Sequence, residues 1–178
     1  MSQYRKCEAS FATFWTGEAL SAMDWACISS FVTKGIDYSL YTYDSIETPQ
    51  EVRVISANEV IPKDKLFYFE GSPSAFSNLF RYKLLSKKRV WWVDTDIYYT
   101  GLPIPDVDFC WAEEEPGKIN GAVLKLDPDS SLPDSLYDEA SKNCSNVSVW
   151  GQLGPLLLTR HLSAVRPSSY YGERTSIY

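Results

Sequence analysis

Apolar and polar positions along this chain switch repeatedly between a period of two and a period near four. Ser10–Trp15 reads as a short strand, closed by Thr16-Gly17. Leu20, Met23, Cys27 and Phe31 then recur at helical spacing, and Lys34-Gly35 ends that helix. Residues 38–43 alternate and are rich in β-formers, which predicts a second strand, and 44–49 form a turn-rich connection. Residues 51–55 predict a third short strand, with a helical turn over 57–61. Ser72-Pro73-Ser74 opens the next helix with Ser74 as its N-cap. Phe76, Leu79, Phe80 and Leu84 give its apolar face, and Lys87, Lys88 and Arg89 suit its C-terminal end. Val90, Trp91, Trp92 and Val93 follow, apolar on both faces, as expected of a central parallel strand. Later strands are expected over 109–112 and 122–126, and later helices over 131–142 and 150–162.

This alternation predicts one α/β domain over residues 1–178, a mostly parallel sheet flanked by helices. Residues 166–178 lack periodicity and read as a tail or lid. No internal repeat or linker divides the chain.

Charge narrows the partners. The net charge is -6, and no basic stripe accompanies the 15% of aromatic residues, which excludes a nucleic-acid partner. A polyanionic ligand would need a metal or a few placed cations. Four cysteines stand apart without a Cys-x-x-Cys pair, and His161 is the single histidine, which argues against a zinc site. Any hydrolase built on a Ser-His or Cys-His pair would have to use His161, which falls in a helical pattern. No signal peptide or membrane-spanning run is visible, so a reducing cytoplasm is the expected compartment.

Asp-x-Asp occurs three times, at Asp94/Asp96, Asp106/Asp108 and Asp127/Asp129. With 12 aspartates in 178 residues, chance supplies about 0.8 such matches, so the tripeptide alone decides little. Context separates them. Asp106 and Asp108 follow Pro-Ile-Pro and read as a solvated loop, and Asp127-Pro128-Asp129 reads as a turn. Only Asp94 and Asp96 follow a buried strand directly. Ligands of open α/β sheets bind outside the carboxyl ends of the strands. Two carboxylates delivered there repel each other, and Mg²⁺ or Mn²⁺ relieves that cost while bridging to phosphate oxygens. The alternative reading is an acidic turn at the end of a core strand.

The helix carrying Phe76-Ser77-Asn78-Leu79-Phe80-Arg81-Tyr82-Lys83-Leu84-Leu85, followed by Trp91-Trp92-Val93-Asp94-Thr95-Asp96, resembles the sugar-binding region of DXD-containing glycosyltransferases. That family includes α-1,4-galactosyltransferases and initiating α-1,6-mannosyltransferases. Phe14-Trp15-Thr16-Gly17, Leu40-Tyr41-Thr42-Tyr43-Asp44, Ile119-Asn120-Gly121 and Trp150-Gly151-Gln152-Leu153-Gly154-Pro155 match it in order, so the likeness spans residues 12–162.

The resemblance implies a GT-A (Rossmann-like) fold, a divalent metal, a nucleotide-sugar donor and retention of anomeric configuration. UDP-hexose is the default donor and a GDP-sugar the other candidate; the acceptor is a hydroxyl on a glycan or polysaccharide. It further implies that Asp96 coordinates the metal, and that Asp94 contacts the metal, the ribose or the donor sugar. Arg81 would reach the sugar or diphosphate. Phe14, Trp15 and Gly17 would receive the base, and Gln152 would face donor sugar or acceptor. Asn78 stands where the family carries Asp, which alters one donor-sugar contact. Lys88-Arg89-Val90 replaces the family's Gly-Gly. Relatives often continue beyond the Gly-Pro segment, and that continuation can supply a third metal ligand and the lid over the donor; here either Tyr170, Tyr171 and the rest of the tail substitute, or the acceptor site is reduced.

Two rival functions remain at this level. One is a domain that binds sugar nucleotide or glycan without turnover. The other is a HAD-like phosphohydrolase, which wants Thr or Val where Tyr98 stands.

Overall fold

Six strands form one sheet in the order β3-β2-β1-β4-β6-β5 in a computed structural model that describes residues 9–163. β1 (Ser10–Trp15), β2 (Asp37–Thr42), β3 (Arg53–Ser56) and β4 (Trp91–Val93) run parallel. β6 (Lys118–Lys125) is antiparallel to β4, and β5 (Cys110–Glu115) is antiparallel to β6. The expected α/β architecture is therefore present, with a mixed, mostly parallel sheet. The tail expected as a lid lies outside the described residues.

The sheet is covered on both faces, and strand alternation assigns each residue to one of them. Ala12, Phe14, Tyr41, Trp92 and Leu124 face α2 (Ser74–Leu85), α3 (Leu132–Asn143) and α4 (Pro155–Leu162). Phe11, Tyr38, Leu40, Trp91 and Val93 face α1 (Ala22–Val32). The two-sided apolar character of 90–93 thus has a direct cause: Trp91 and Trp92 feed opposite cores. Register pairs Phe11 with Trp91 and Ala12 with Trp92. The Phe11 and Trp91 rings stack with centroids 5.9 Å apart.

Several boundaries differ from expectation for local reasons. A capping box between Ser21 and Asp24 starts α1 at Ala22. Leu20 therefore precedes the helix, Met23 is 61% exposed, and the buried face is Cys27, Ile28 and Phe31. Ser74 is the first residue of α2 rather than its N-cap. Pro73 takes that position, and the Ser74 amide donates to Ser72 Oγ at 3.2 Å. The last helix begins at Pro155, not Trp150. Gly151 sits at φ 79°, a left-handed turn before proline opens the helix. The strands expected at 109–112 and 122–126 are longer and form one hairpin joined at Pro116-Gly117. The acidic run Glu113, Glu114 and Glu115 masked that edge strand.

The three Asp-x-Asp motifs also separate in space. Arg89 pairs with Asp108 at 3.1 Å, Asp127 at 2.9 Å and Asp129 at 2.7 Å. Two of the motifs thus converge on one cation, leaving Asp94 and Asp96 apart from them. Among the described residues no helix is long and apolar enough to cross a membrane.

Candidate active site

β1, β2 and β4 end at one edge of the sheet because they run parallel, and a cleft of about 1360 Å³ opens there. Its walls come from the β1 loop (Trp15, Thr16), the start of α1 (Met23, Asp24), the first turns of α2 (Ser74, Ser77, Asn78, Arg81) and the turn after β4 (Asp94, Thr95, Asp96). The β5–β6 hairpin adds Glu113, Glu114 and Glu115, and Trp150 and Pro155 complete the lining.

Asp94 is fixed more tightly than its place beyond β4 requires. Its amide donates to the Ala122 carbonyl at 2.8 Å, and its own carbonyl accepts from Ile97 N at 3.2 Å, which starts the turn. Oδ1 accepts from Arg81 Nη2 at 2.8 Å and from Trp92 Nε1 at 2.8 Å. Arg81 Nη1 donates to the Gly121 carbonyl at 2.6 Å, and the guanidinium carbon lies 4.8 Å from the centre of the Trp92 ring. Arg81 is only 4% exposed, so these partners offset the desolvation of its charge. Its Nε atom is buried without a hydrogen-bond partner.

Asp96 is exposed at the cleft mouth. Desolvation in the cleft pushes its carboxyl above the ordinary range, and the charges of Asp94 and Asp24 push it the same way. A carboxylate in that setting gains from a cation. Asp94 and Asp96 are hard oxygen donors beside a space open to water and phosphate, which fits Mg²⁺ or Mn²⁺ held by one or two carboxylates with the substrate supplying further ligands. Among the described residues no group of three or more His, Cys, Asp or Glu surrounds a common point. The lining as a whole is acidic: Asp24, Asp94, Asp96 and the three glutamates stand against Arg81. A diphosphate entering it would meet repulsion unless a cation came with it.

The remaining candidates divide. Trp15 lines the cleft, and its indole Nε1 has no hydrogen-bond partner. Gly17, at φ 139°, lies beside that ring in a conformation that favours glycine. Phe14 also lines the cleft, but it is 6% exposed and stacks on Phe80 with centroids 4.6 Å apart, so most of its ring is packed in the core. Asn78 lines the cleft but donates to the Ser74 carbonyl at 2.9 Å and packs against Gly154, where a Cβ would lie 2.8 Å from its amide. Gln152 is not brought to the main cleft. Its Oε1 accepts from Ser148 N at 2.9 Å and Ser148 Oγ at 3.2 Å, and its Nε2 donates to the Asn146 carbonyl, so it pins its own turn.

Sequence reasoning gave no role to Asp44, Asp24, Trp92 or Gly121. Asp44 accepts from Thr16 Oγ1 and Gly17 N, both at 3.4 Å, and pairs with Lys63 at 2.9 Å. It ties the β1 loop to the end of β2, and the hydrogen bond from Lys63 holds its carboxyl below the usual range. Asp24 was legible through Ser21-x-x-Asp24. Trp92 and Gly121 fall in segments that carried the family resemblance, but nothing in the sequence gave either of them a role beside Arg81.

No protein-family model matches this sequence, and no curated protein matches it. Among solved structures it is similar to one titled PaToxG glycosyltransferase, with a TM-score of 0.62 and 14% identity. That match covers 87% of this chain and 67% of the other. At that identity the likeness is one of fold, and it places the α/β sheet in a GT-A-like architecture.

Proposed function

We propose that this chain transfers a hexose from a nucleotide-sugar donor to a hydroxyl acceptor, with retention and with the help of a divalent metal. The observation that carries the reading is the position of Asp94 and Asp96: two acids of one turn, separated by Thr95, at the carboxyl end of β4 and lining the large cleft. The GT-A-like fold and the cleft's size support it, since nucleotide sugars need an elongated site at that edge of the sheet.

Asp96 and Asp94 would hold Mn²⁺ or Mg²⁺. When bound, the ion supplies Lewis-acid stabilisation of charge on the donor diphosphate. The protein's own contribution is preorganisation. Asp94 is clamped before any ligand arrives, so little reorganisation remains to be done during reaction. Trp15 offers the nucleotide base a ring face beside Gly17, and Asp44 holds that loop in place. No histidine serves as base in this scheme, because a leaving phosphate oxygen can accept the acceptor proton. UDP-hexose is the default donor, with GDP-sugars second. The acceptor is a glycan hydroxyl.

A second reading, donor binding without turnover, is favoured by one observation. Gln152 satisfies its amide within its own turn, and Asn78 commits its Nδ2 to the Ser74 carbonyl, which draws polar groups expected to face the sugar into the protein. A thermal-shift screen of nucleotide sugars with and without Mn²⁺, followed by hydrolysis assays, tests both readings. A donor that raises the melting temperature only with metal, and is then hydrolysed, supports transfer. Binding without hydrolysis across acceptors supports the second reading. No stabilisation by any donor contradicts both.

A further inference from the structure

We infer that Trp92 and Arg81 are positioning residues for Asp94: together they saturate its Oδ1 and present Oδ2 alone to a cation. The inference rests on the proposed role of Asp94 and Asp96 in holding a metal-bound donor.

Strand geometry brings the three groups together. Trp92 and Asp94 are two residues apart, so both side chains lie on the same face of the sheet. That face is the one α2 covers, and Arg81 projects from α2 onto it. Trp91, one residue earlier, faces the other core and is out of reach. The result is a closed triangle. Nε1 of Trp92 and Nη2 of Arg81 each lie 2.8 Å from Oδ1, and the guanidinium carbon sits 4.8 Å from the Trp92 ring centre. Trp92 is 0% exposed and Arg81 4%, so neither donor can be replaced by bulk water. Rotating the Asp94 carboxylate would break two charge-assisted hydrogen bonds at once. Among the described residues no hydrogen bond reaches Oδ2, and the Asp94 side chain is 36% exposed on the cleft side.

Arg81 therefore acts through Asp94. Both of its terminal nitrogens are committed, one to Asp94 and one to the Gly121 carbonyl. Gly121 makes this possible, since a Cβ there would overlap Nη1. Groups that orient metal-binding carboxylates in this way tune affinity for the ion without touching it.

Titration of Mn²⁺ alone into the full chain, followed by the loss of the free-ion paramagnetic resonance signal, separates the possibilities. Wild type is expected to bind Mn²⁺ and D96A to lose that binding. W92F keeps an aromatic ring but loses the indole N–H, and R81K keeps the charge but loses the fork. Each is expected to weaken Mn²⁺ binding on the order of 10-fold. F80L is the control for core damage: Phe80 is 0% exposed, stacks on Phe14 and has no polar group to offer Asp94, so it is expected to cost stability while leaving Mn²⁺ affinity within about twofold. If D96A abolishes binding while W92F and R81K match wild type, the positioning role is wrong and the metal reading stands. Equal weakening in F80L would also overturn the positioning role. If wild type binds no Mn²⁺, or D96A binds as wild type does, the underlying metal reading fails and the inference fails with it. R81K gives an independent result if W92F does not fold.

Discussion

The guanidinium of Arg81 occupies the space that a side chain on Gly121 would need, and Nη1 donates to the Gly121 carbonyl at 2.6 Å. Gly121 is thus part of the site although it offers no functional group. Gly121→Ala is expected to displace Arg81, leave its charge poorly paired and lower stability by about 2 kcal/mol or more, read by urea unfolding. Unchanged stability would mean that the neighbouring strand shifts to accommodate the methyl group.

Phe14 and Trp15 are adjacent but serve different ends. Phe14→Ala should cost about 3–4 kcal/mol, because it empties a packed position between Phe76 and Phe80. Trp15→Ala should cost less stability and more nucleotide affinity, on the order of 10-fold if a base stacks there. Unfolding curves and nucleotide titration on the two variants check the division. Equal loss of affinity in both at equal stability would contradict it.

Gln152→Ala is expected to leave donor affinity within about twofold and to cost about 1 kcal/mol through the loosened 146–152 turn. Donor titration and chemical unfolding measure the two effects. A large loss of donor affinity would place Gln152 in the site in solution.

Glu139 joins α3 to α4 by accepting from His161 at 2.7 Å and by pairing with Arg160. The hydrogen bond with His161, followed by the charge of Arg160, holds its carboxyl below the ordinary value. A carboxyl depressed in the folded state adds stability above its unfolded pKa of about 4.3 and loses that stability as pH falls through the folded value. The stability gap between wild type and Glu139→Gln should therefore be fully present near pH 6 and shrink below about pH 4. Thermal unfolding at both pH values reads it. A gap that widens on acidification would reverse the assigned sign.

How far the sequence could be read follows from which interactions are local. The β1, β2 and β4 strands and the place of Asp94 and Asp96 follow from alternation and from a two-sided apolar run, both visible in a few residues. The start of α1 was missed because Leu20 and Met23 fit a helical period, while the capping box starts the helix at Ala22 and turns Met23 outward. The β5–β6 hairpin was underread because an edge strand tolerates Glu113, Glu114 and Glu115 in place of apolar residues. The roles of Trp92 and Gly121 depend on Arg81, which is 40 residues from Gly121 in sequence. Such contacts leave no periodic trace. Family resemblance carried Arg81 and Gln152 toward the donor; Arg81 does line the cleft, bonded there to Asp94, whereas Gln152 bonds within its own turn.

Donor hydrolysis and transfer by wild type and Asp96→Ala, assayed with Mn²⁺ and after chelation by EDTA, decide whether this cleft performs metal-dependent sugar transfer. Wild type should act on a nucleotide sugar only when metal is present, and Asp96→Ala should lose activity by 100-fold or more, a loss of roughly 2.7 kcal/mol or more in transition-state stabilisation. Turnover that survives both chelation and Asp96→Ala would contradict it.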